Sequence, residues 1–317
     1  MTLELLQNGH RVTLFNRGKT QDQLPADVER LHGDRSDPAS LAEALSRRSF
    51  DVVIDMALYN GEDAQTITGL LEDRVGQYIF LSTGQVYLVH QAVIRPFAEE
   101  ASEQPLMSAP FLNTRDYDEW LYGMEKSQAE EILMGAWQAR GFPVTILRLH
   151  MVNSERDHFH RIYNYLLRLQ DGGPILLPLG NHLRLRHIYA ADVVRAILRV
   201  IDTGLGKGRV YNLSQDETIS IEDFLASLAR IAGHSLQLAY VPRTVLDRFH
   251  LLPDCSPFSD TWMSELDNRQ SKVELGMQYT PLPIYLQSLV EYFTSHQLPV
   301  PEGYQRRKDE IRLAQEI

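Results

Sequence analysis

Short apolar runs alternate with amphipathic stretches through the first two-thirds of the chain. The apolar runs predict strands at 11–15, 51–56, 78–81 and 144–149, and apolar positions at helical spacing predict helices at 40–47, 64–71 and 116–140. An unbroken apolar strand such as 51–56 is typical of a parallel sheet that is covered on both faces. The alternation therefore predicts an α/β fold with a doubly wound parallel sheet, which binds ligands along the carboxyl edge of its strands.

The pattern loosens after residue 150. A helix at 160–169 is followed by a Gly172-Gly173-Pro174 break, and the segments 185–189, 191–201 and 210–213 are predicted to return to the sheet. Ser220, three residues before Asp223, resembles a capping box that opens a helix at 221–232. We predict a core of residues 1–150 with return segments near 185–213, and a smaller lobe of 151–184 and 214–317 that ends in a charged surface helix.

Composition narrows the class of protein. The 317 residues are 44% hydrophobic and 23% charged, which is ordinary for a soluble globular protein. A net charge of −11 disfavours non-specific binding of nucleic acid. Cys255 is the only cysteine, and no apolar run has the length of a membrane span. We expect a cytoplasmic protein without a membrane partner and without a metal site, for which a nucleic-acid partner is disfavoured.

The candidate chemistry lies on the helix 116–140 and on the strand before it. Tyr122 and Lys126 are four residues apart and therefore share one face of the helix. An ammonium close to a phenol favours the phenolate, so such a pair can exchange a proton near neutral pH. A hydroxyl of Thr83 or Ser82, at the end of the strand 78–81, could hold a substrate oxygen.

Four segments, in this order, resemble the extended short-chain dehydrogenase/reductase superfamily, the NAD(P)-dependent epimerase/dehydratase type. They are the strand and turn 80–87 (FLSTGQVY), the Tyr-x-x-x-Lys of 122–126, the segment 187–196 (HIYAADVVRA) and the stretch 271–281 with its Leu-Gly and Pro. The resemblance covers nearly the whole chain. It implies that the core binds a dinucleotide and that the smaller lobe binds the substrate.

The resemblance also implies roles for individual residues. Tyr122 would be the acid/base, Lys126 would lower its pKa and hold the nicotinamide ribose, and Thr83, with Ser82 beside it, would orient the substrate oxygen. Asp34 would meet the adenine amino group, and NADP is favoured over NAD because Asn16-Arg17 lacks the acid that selects a free 2′-hydroxyl. Further implied cofactor contacts are Arg35, Met56, Ala57 and Met151.

Three departures from the family pattern affect these expectations. The segment 1–10 reads as the end of a helix that leads into the strand 11–15, without the family's first strand and glycine-rich turn before it. We expect either that this start is internal to a longer product, or that the sheet closes up and cofactor binding is weak. Gly84-Gln85 disfavours sugar 4,6-dehydratase chemistry, and Arg148-Leu149-His150 lacks the usual proline.

The sequence therefore predicts an NAD(P)-dependent oxidoreductase or epimerase that acts on a sugar nucleotide or a similar polar carbinol. Hydride would pass between the nicotinamide and a substrate carbon while Tyr122 exchanges the hydroxyl proton. A non-catalytic relative that senses a dinucleotide or binds a protein remains open, as does an RNA-binding relative. The resemblance also implies a homodimer formed through helices such as 116–140.

Overall fold

The chain forms helices and parallel strand pairs in alternation. It is described by a computed structural model over residues 1–20, 23–91, 94–296 and 298–316. The strands, numbered in chain order, are β1 Thr13–Asn16, β2 Glu29–His32, β3 Phe50–Asp55, β4 Val75–Thr83, β5 Val144–Leu149, β6 Val152–Asn153, β7 Ile175–Pro178, β8 Ile188–Tyr189, β9 Arg209–Leu213 and β10 Leu238–Val241. The α-helices are α1 Thr2–Gln7, α2 Pro38–Leu45, α3 Gly61–Leu70, α4 Gln85–Leu88, α5 Arg115–Arg140, α6 Arg161–Gln170, α7 Ala190–Thr203, α8 Ile221–Ala232, α9 Arg243–Arg248, α10 Arg269–Glu274, α11 Leu282–Ser295 and α12 Arg307–Glu316.

These elements form two compact units. The first contains Met1–Leu149, Ala191–Leu213 and Leu266–Met277, and the second contains His150–Ala190, Ser214–Glu265 and Gln278–Ile317. The segment Leu266–Met277, which the sequence analysis placed in the smaller lobe, packs with the first unit through α10 and β9. Each unit has a hydrophobic core of its own.

The first unit is built on a four-stranded parallel sheet in the order β3-β4-β5-β9. Tyr78 lies opposite Val144 in β4 and β5, and Thr145 lies opposite Arg209 in β5 and β9. Most side chains of β4 and β5 are buried, as expected where helices cover both faces of a parallel sheet. The predicted α/β fold with parallel strands is confirmed.

The strands β1 and β2 form a separate parallel pair. Among the described strands none pairs with both β1 and β3, and no ladder joins these two to each other. Their side chains are mostly half-buried, whereas those of β4 are largely buried. The predicted single sheet is thus divided in two within the described residues. The division falls between β1 and β3.

Helix α5 carries the candidate catalytic pair across the face of this sheet. Its first turn is capped by Thr114, whose hydroxyl accepts a hydrogen bond from the Tyr117 backbone N–H. It ends at Gly141, which has the left-handed conformation (φ 72°) that favours glycine. In its second half, buried Ala129 and Leu133 pack in the core that contains β4 and β5. This packing fixes the rotation of the helix and so the direction of Tyr122 and Lys126.

The turn before β9 depends on a glycine that lies against α5. Gly208 has φ +71°, and a Cβ atom there would lie 2.1 Å from Nε1 of Trp137. We expect Gly208→Ala to lower the free energy of unfolding by at least about 3 kcal/mol, since left-handed strain and overpacking add. Gly204 is the matched control, because its φ is +64° and nothing lies within 4 Å of its Cβ position. Equal urea midpoints for Gly204→Ala and Gly208→Ala would contradict this account of the contact with Trp137.

The second unit packs three helices around an aromatic core. Helices α6, α8 and α11 contribute buried apolar residues, and Phe258 contacts Tyr165 and Phe224. Two short parallel pairs, β7 with β10 and β6 with β8, belong to the same unit. The N-cap half of the predicted capping box is present, since Ser220 Oγ accepts a hydrogen bond from the Asp223 N–H at 3.0 Å at the start of α8, while the Asp223 carboxylate accepts from the Ser220 hydroxyl at 2.8 Å.

The C-terminal helix differs from its prediction. A charged surface helix was expected, but Arg307, Glu310 and Leu313 of α12 are buried. The Glu310 carboxylate accepts hydrogen bonds from Arg168 at 2.5 Å and from Arg307 at 2.9 Å. The prediction failed because the partner that neutralises Glu310 lies 142 residues earlier, on α6.

Candidate active site

The strand end at Thr83 and the helix residue Tyr122 meet in the first unit. Thr83 is the last residue of β4, at the carboxyl edge of the four-stranded sheet. Its hydroxyl lies close enough to the phenol of Tyr122 to lower the pKa of that phenol. It also accepts a hydrogen bond from the Gln85 backbone N–H at 3.2 Å. A phenol and an alcohol are therefore adjacent where a substrate oxygen could contact both.

Lys126 lies one helical turn beyond Tyr122 and is 2% exposed. Its ammonium donates hydrogen bonds to the carbonyl oxygens of Leu58, at 2.6 Å, and Leu81, at 3.4 Å. Three aromatic rings surround it at centroid distances of 4.8 to 5.9 Å, which are those of Phe80, Tyr59 and Tyr122. Carbonyl dipoles and ring faces thus partly replace the water that the charge has lost.

Burial changes the proton affinity of both members of the pair. It raises the pKa of Tyr122 above its usual value of 10, and the nearby Thr83 hydroxyl offsets only part of this rise. It lowers the pKa of Lys126 from 10.5 to about 8, against the attraction of Asp55 and Glu130. The lowering of the Tyr122 pKa by Lys126 that the resemblance implies stays a prediction.

The depressed pKa of Lys126 predicts an unusual dependence of stability on pH. Between pH 8 and 10.5 the unfolded chain holds this proton and the folded chain does not, so the free energy of unfolding rises with pH across that interval. The full gain is about 3 kcal/mol at ~1.4 kcal/mol per pH unit. Urea midpoints measured from pH 7 to 10.5 test it. The stability advantage of the wild type over Lys126→Met should grow by this amount across the interval, and exposed Lys207→Met should show no such change relative to the wild type; a difference between wild type and Lys126→Met that stays constant with pH would contradict the shift.

Ser82, the second candidate hydroxyl, is directed differently from Thr83. It is buried and donates to Glu130 Oε1 at 2.5 Å. Glu130 also accepts three hydrogen bonds from Arg148, with the closest at 2.6 Å. Neighbouring strand residues point to opposite faces, so only one of the two hydroxyls can face Tyr122. The geometry favours Thr83 for contact with substrate, whereas Ser82 is a hydrogen-bond donor to the buried Glu130 carboxylate.

The buried pair of Glu130 and Arg148 was not identified as part of the site from the sequence. All the donor nitrogens of Arg148 are used, because they also donate to the Tyr87 hydroxyl, the Glu99 carbonyl oxygen and the Ser102 hydroxyl. Tyr87 in turn donates to Asn212 Oδ1 at 2.7 Å. A signal was present in the sequence, since an arginine inside the apolar strand 144–149 requires an internal partner.

The predicted cofactor contacts lie at the carboxyl ends of β1, β2 and β3. Asn16 ends β1 and its side chain accepts a hydrogen bond from the Gly18 N–H at 2.8 Å, while Arg17 is exposed. Met56 and Ala57 follow β3 and are exposed. Met151 belongs to the second unit, where its sulfur contacts the Arg161 guanidinium. The cofactor roles of these residues stay predictions.

Asp34 and Arg35 follow β2 and have partners within the unit. Asp34 accepts hydrogen bonds from the hydroxyl and the backbone N–H of Ser36, which hold its pKa below the usual value. Arg35 binds Asp55 at 2.5 Å, and Tyr78 donates to the same carboxylate at 2.6 Å. The Nη1 atom of Arg35 is buried without a hydrogen-bond partner, 3.8 Å from Asp63. Arg35 therefore keeps a donor that an anionic group could use.

These residues fit two parts of a dinucleotide. Buried Lys126 beside Tyr122 suits a ribose and nicotinamide, and the exposed Arg17 with the spare Arg35 donor suits a phosphorylated adenosine. Before β1, residues 1–12 contain α1 and no strand followed by a glycine-rich turn, so these described residues do not form a pyrophosphate-binding turn of that kind.

No cluster of metal-ligating side chains occurs in the part of the chain that the structure describes. None of its helices is both long and apolar enough to cross a membrane.

Comparison with known proteins agrees with this geometry. Residues 66–214 match the NAD dependent epimerase/dehydratase family. The chain is 26% identical over 245 residues to the chloroplast stem-loop binding protein of 41 kDa b from Arabidopsis thaliana, covering 72% of this chain and 58% of that protein. It is 23% identical over 323 residues to UDP-glucose 4-epimerase from Corynebacterium glutamicum, covering 90% and 88%.

The fold is shared with a solved sugar-nucleotide enzyme. The crystal structure of UDP-glucose 4-epimerase from Thermotoga maritima, with UDP-glucose, superposes with a TM-score of 0.70 at 19% identity, covering 92% of this chain and 94% of that one. The match over residues 66–214 to the NAD dependent epimerase/dehydratase family bears out the predicted resemblance to the extended short-chain dehydrogenase/reductase superfamily, and the common fold agrees with it.

Proposed function

We propose that this chain is an NAD(P)-dependent oxidoreductase or epimerase that acts on a sugar nucleotide. The observation that carries the proposal is the convergence of Tyr122, Thr83 and Lys126 at the end of β4. The similarity to UDP-glucose 4-epimerases supports the substrate class. The chain spans only 58% of the length of the Arabidopsis protein that it matches.

The three side chains would divide the proton chemistry among them. Thr83 would hold the oxygen of the reacting carbinol, and Tyr122 would take its proton as the carbon is oxidised and return it on reduction. Burial raises the pKa of Tyr122, so the phenol would first release its own proton to solvent and then accept the carbinol proton as the phenolate. The Lys126 charge, 5.9 Å from the centre of that ring, would favour the phenolate during the step.

A bound nicotinamide would supply the hydride acceptor and donor for this chemistry. Lys126 would bind its ribose, which requires the ammonium to exchange its hydrogen bond with the Leu58 carbonyl for a ribose hydroxyl. Asn16, Arg17, Asp34 and Arg35 would face the adenosine end. Arg17 in place of an acid favours NADP.

Binding and turnover can be tested separately. Calorimetric titration with NADP(H) and NAD(H) should show binding of at least one of them, with Arg17→Ala weakening NADP(H) and leaving NAD(H) unchanged. Incubation with UDP-glucose or UDP-galactose and the bound dinucleotide should interconvert the two sugars, or oxidise one of them. Failure to bind either dinucleotide, together with no conversion of these nucleotide sugars, would reject the proposal.

RNA binding is a second candidate, favoured by the printed name of the Arabidopsis relative. The net charge of −11 opposes it, because affinity for a nucleic-acid backbone depends on a basic surface. A gel-shift titration with an RNA stem-loop at 50 and 200 mM salt separates the two functions. Tight binding that weakens steeply with salt would favour this candidate over the nucleotide-sugar enzyme.

A further inference from the structure

The residue that follows Tyr122 has no room for a side chain. Gly123 is buried in α5 and lies against the first turn of α4. A Cβ atom at this position would lie 2.8 Å from the Gln85 carbonyl oxygen and 2.8 Å from Cγ1 of Val89. A backbone oxygen cannot rotate away as a flexible side chain can. Helix α5 can therefore approach α4 this closely only because residue 123 is glycine.

The backbone that Gly123 touches is tied to the substrate-facing hydroxyl. Gln85 donates its backbone N–H to Thr83 Oγ1 at 3.2 Å, so the backbone of one residue makes both the contact with Gly123 and the bond to Thr83. The Gln85 side chain donates to Glu119 Oε2 of α5 at 2.5 Å, which holds the same two elements together. A displacement of α5 from Gln85 would thus also separate Tyr122 from Thr83.

A second glycine on the same helix, Gly135, allows the loss of helix stability at a glycine to be compared with and without a close contact. Gly135 is exposed and nothing lies within 4 Å of its Cβ position. Glycine inside a helix is less stable than alanine, so α5 loses stability at both positions. At Gly135 no close contact offsets the loss, whereas at Gly123 the glycine permits the approach to α4.

We propose that Gly123 is a positioning residue, which sets the separation between the Tyr122 phenol and the Thr83 hydroxyl by allowing α5 to contact the Gln85 backbone. The geometric part of this proposal depends only on the contacts that Gln85 makes with Gly123, Thr83 and Glu119. Its catalytic consequence rests on the proposed function, because a wider separation matters for turnover only if Tyr122 and Thr83 act together on a substrate.

The test compares Gly123→Ala with Gly135→Ala in the full chain. The first readout needs no substrate: the ¹³C NMR signal of Cζ-labelled Tyr122, identified by its loss in Tyr122→Phe, reports the surroundings of the phenol. Thr83→Val provides the signal of a phenol that has lost the neighbouring Thr83 hydroxyl. We expect Gly123→Ala to move the Tyr122 signal as Thr83→Val does, and Gly135→Ala to leave it unchanged while raising the melting temperature.

The second readout is turnover. Where the wild type is active, Gly123→Ala should lower kcat by about 10²-fold, as expected for a displacement near 1 Å. If Gly123→Ala does not fold, Val89→Ala/Gly123→Ala removes one of the two close contacts and carries the same NMR measurement. A wild-type Tyr122 signal in these variants would overturn the inference, even if the enzyme is active. An inactive wild type with a shifted Tyr122 signal would reject the proposed function and retain the inference.

Discussion

Tyr122→Phe is expected to lower kcat by about 10²–10⁴-fold while the chain keeps its fold and its affinity for the dinucleotide. The substitution removes one hydroxyl and keeps the ring that faces the Lys126 ammonium. Thr83 keeps its hydrogen bond from the Gln85 N–H, so the strand end has no reason to rearrange. Turnover of UDP-glucose, calorimetric titration of the dinucleotide and thermal melting would be measured on the same preparation.

Tyr117→Phe is the control for this substitution, since Tyr117 lies on the same helix but packs on Trp120. It should leave kcat unchanged. If Tyr122→Phe turns over nucleotide sugar at the wild-type rate, Tyr122 is not the acid/base. If both variants lose binding of the dinucleotide, the loss is caused by altered packing of α5 and not by removal of the Tyr122 hydroxyl.

Glu130→Leu is expected to lower the free energy of unfolding by about 3–5 kcal/mol, because it leaves the buried Arg148 guanidinium without its counter-charge. The two side chains are 7% and 6% exposed and 2.6 Å apart. The pair also borders the active site, since Ser82 donates to Glu130 and Thr83 is the next residue. Urea midpoints would measure the loss, and turnover should fall with it.

Two comparisons identify the cause of this loss. The double variant Glu130→Leu/Arg148→Met removes both charges and should recover part of the stability lost in Glu130→Leu. Arg140 lies on the same helix as Glu130 and forms an ion pair with Glu72 at 3.1 Å. Both side chains of this pair are more than 40% exposed, and Arg140→Ala removes it. It should cost less than about 1 kcal/mol. A similar loss in Arg140→Ala and Glu130→Leu would show that burial is not the cause.

Most of the candidate site could be located from spacing alone. The Tyr-x-x-x-Lys spacing on a predicted helix and a hydroxyl at a strand end predicted that Tyr122, Lys126 and Thr83 would lie together, and the structure brings them together. The spacing could not separate Thr83 from Ser82, because that choice depends on which face of β4 receives Glu130. It also could not reveal Gly123 as a close contact, since Gln85 belongs to another helix.

Elements whose signals lie within their own residues were determined by the sequence itself. The bounds of β5 and α8 match their predictions, because an apolar run between turn signals defines the first and Ser220 caps the second. The strand β2 was missed, because its residues Glu29–His32 carry three polar or charged side chains and no such run.

Only the tertiary structure decided the properties that depend on distant partners. The pKa of Lys126 near 8 follows from burial under β3 and β4, and the buried charges of α12 follow from Arg168 on α6. Desolvation and ion pairing are set by residues far apart in the sequence, and local periodicity carries no information about which of them will meet.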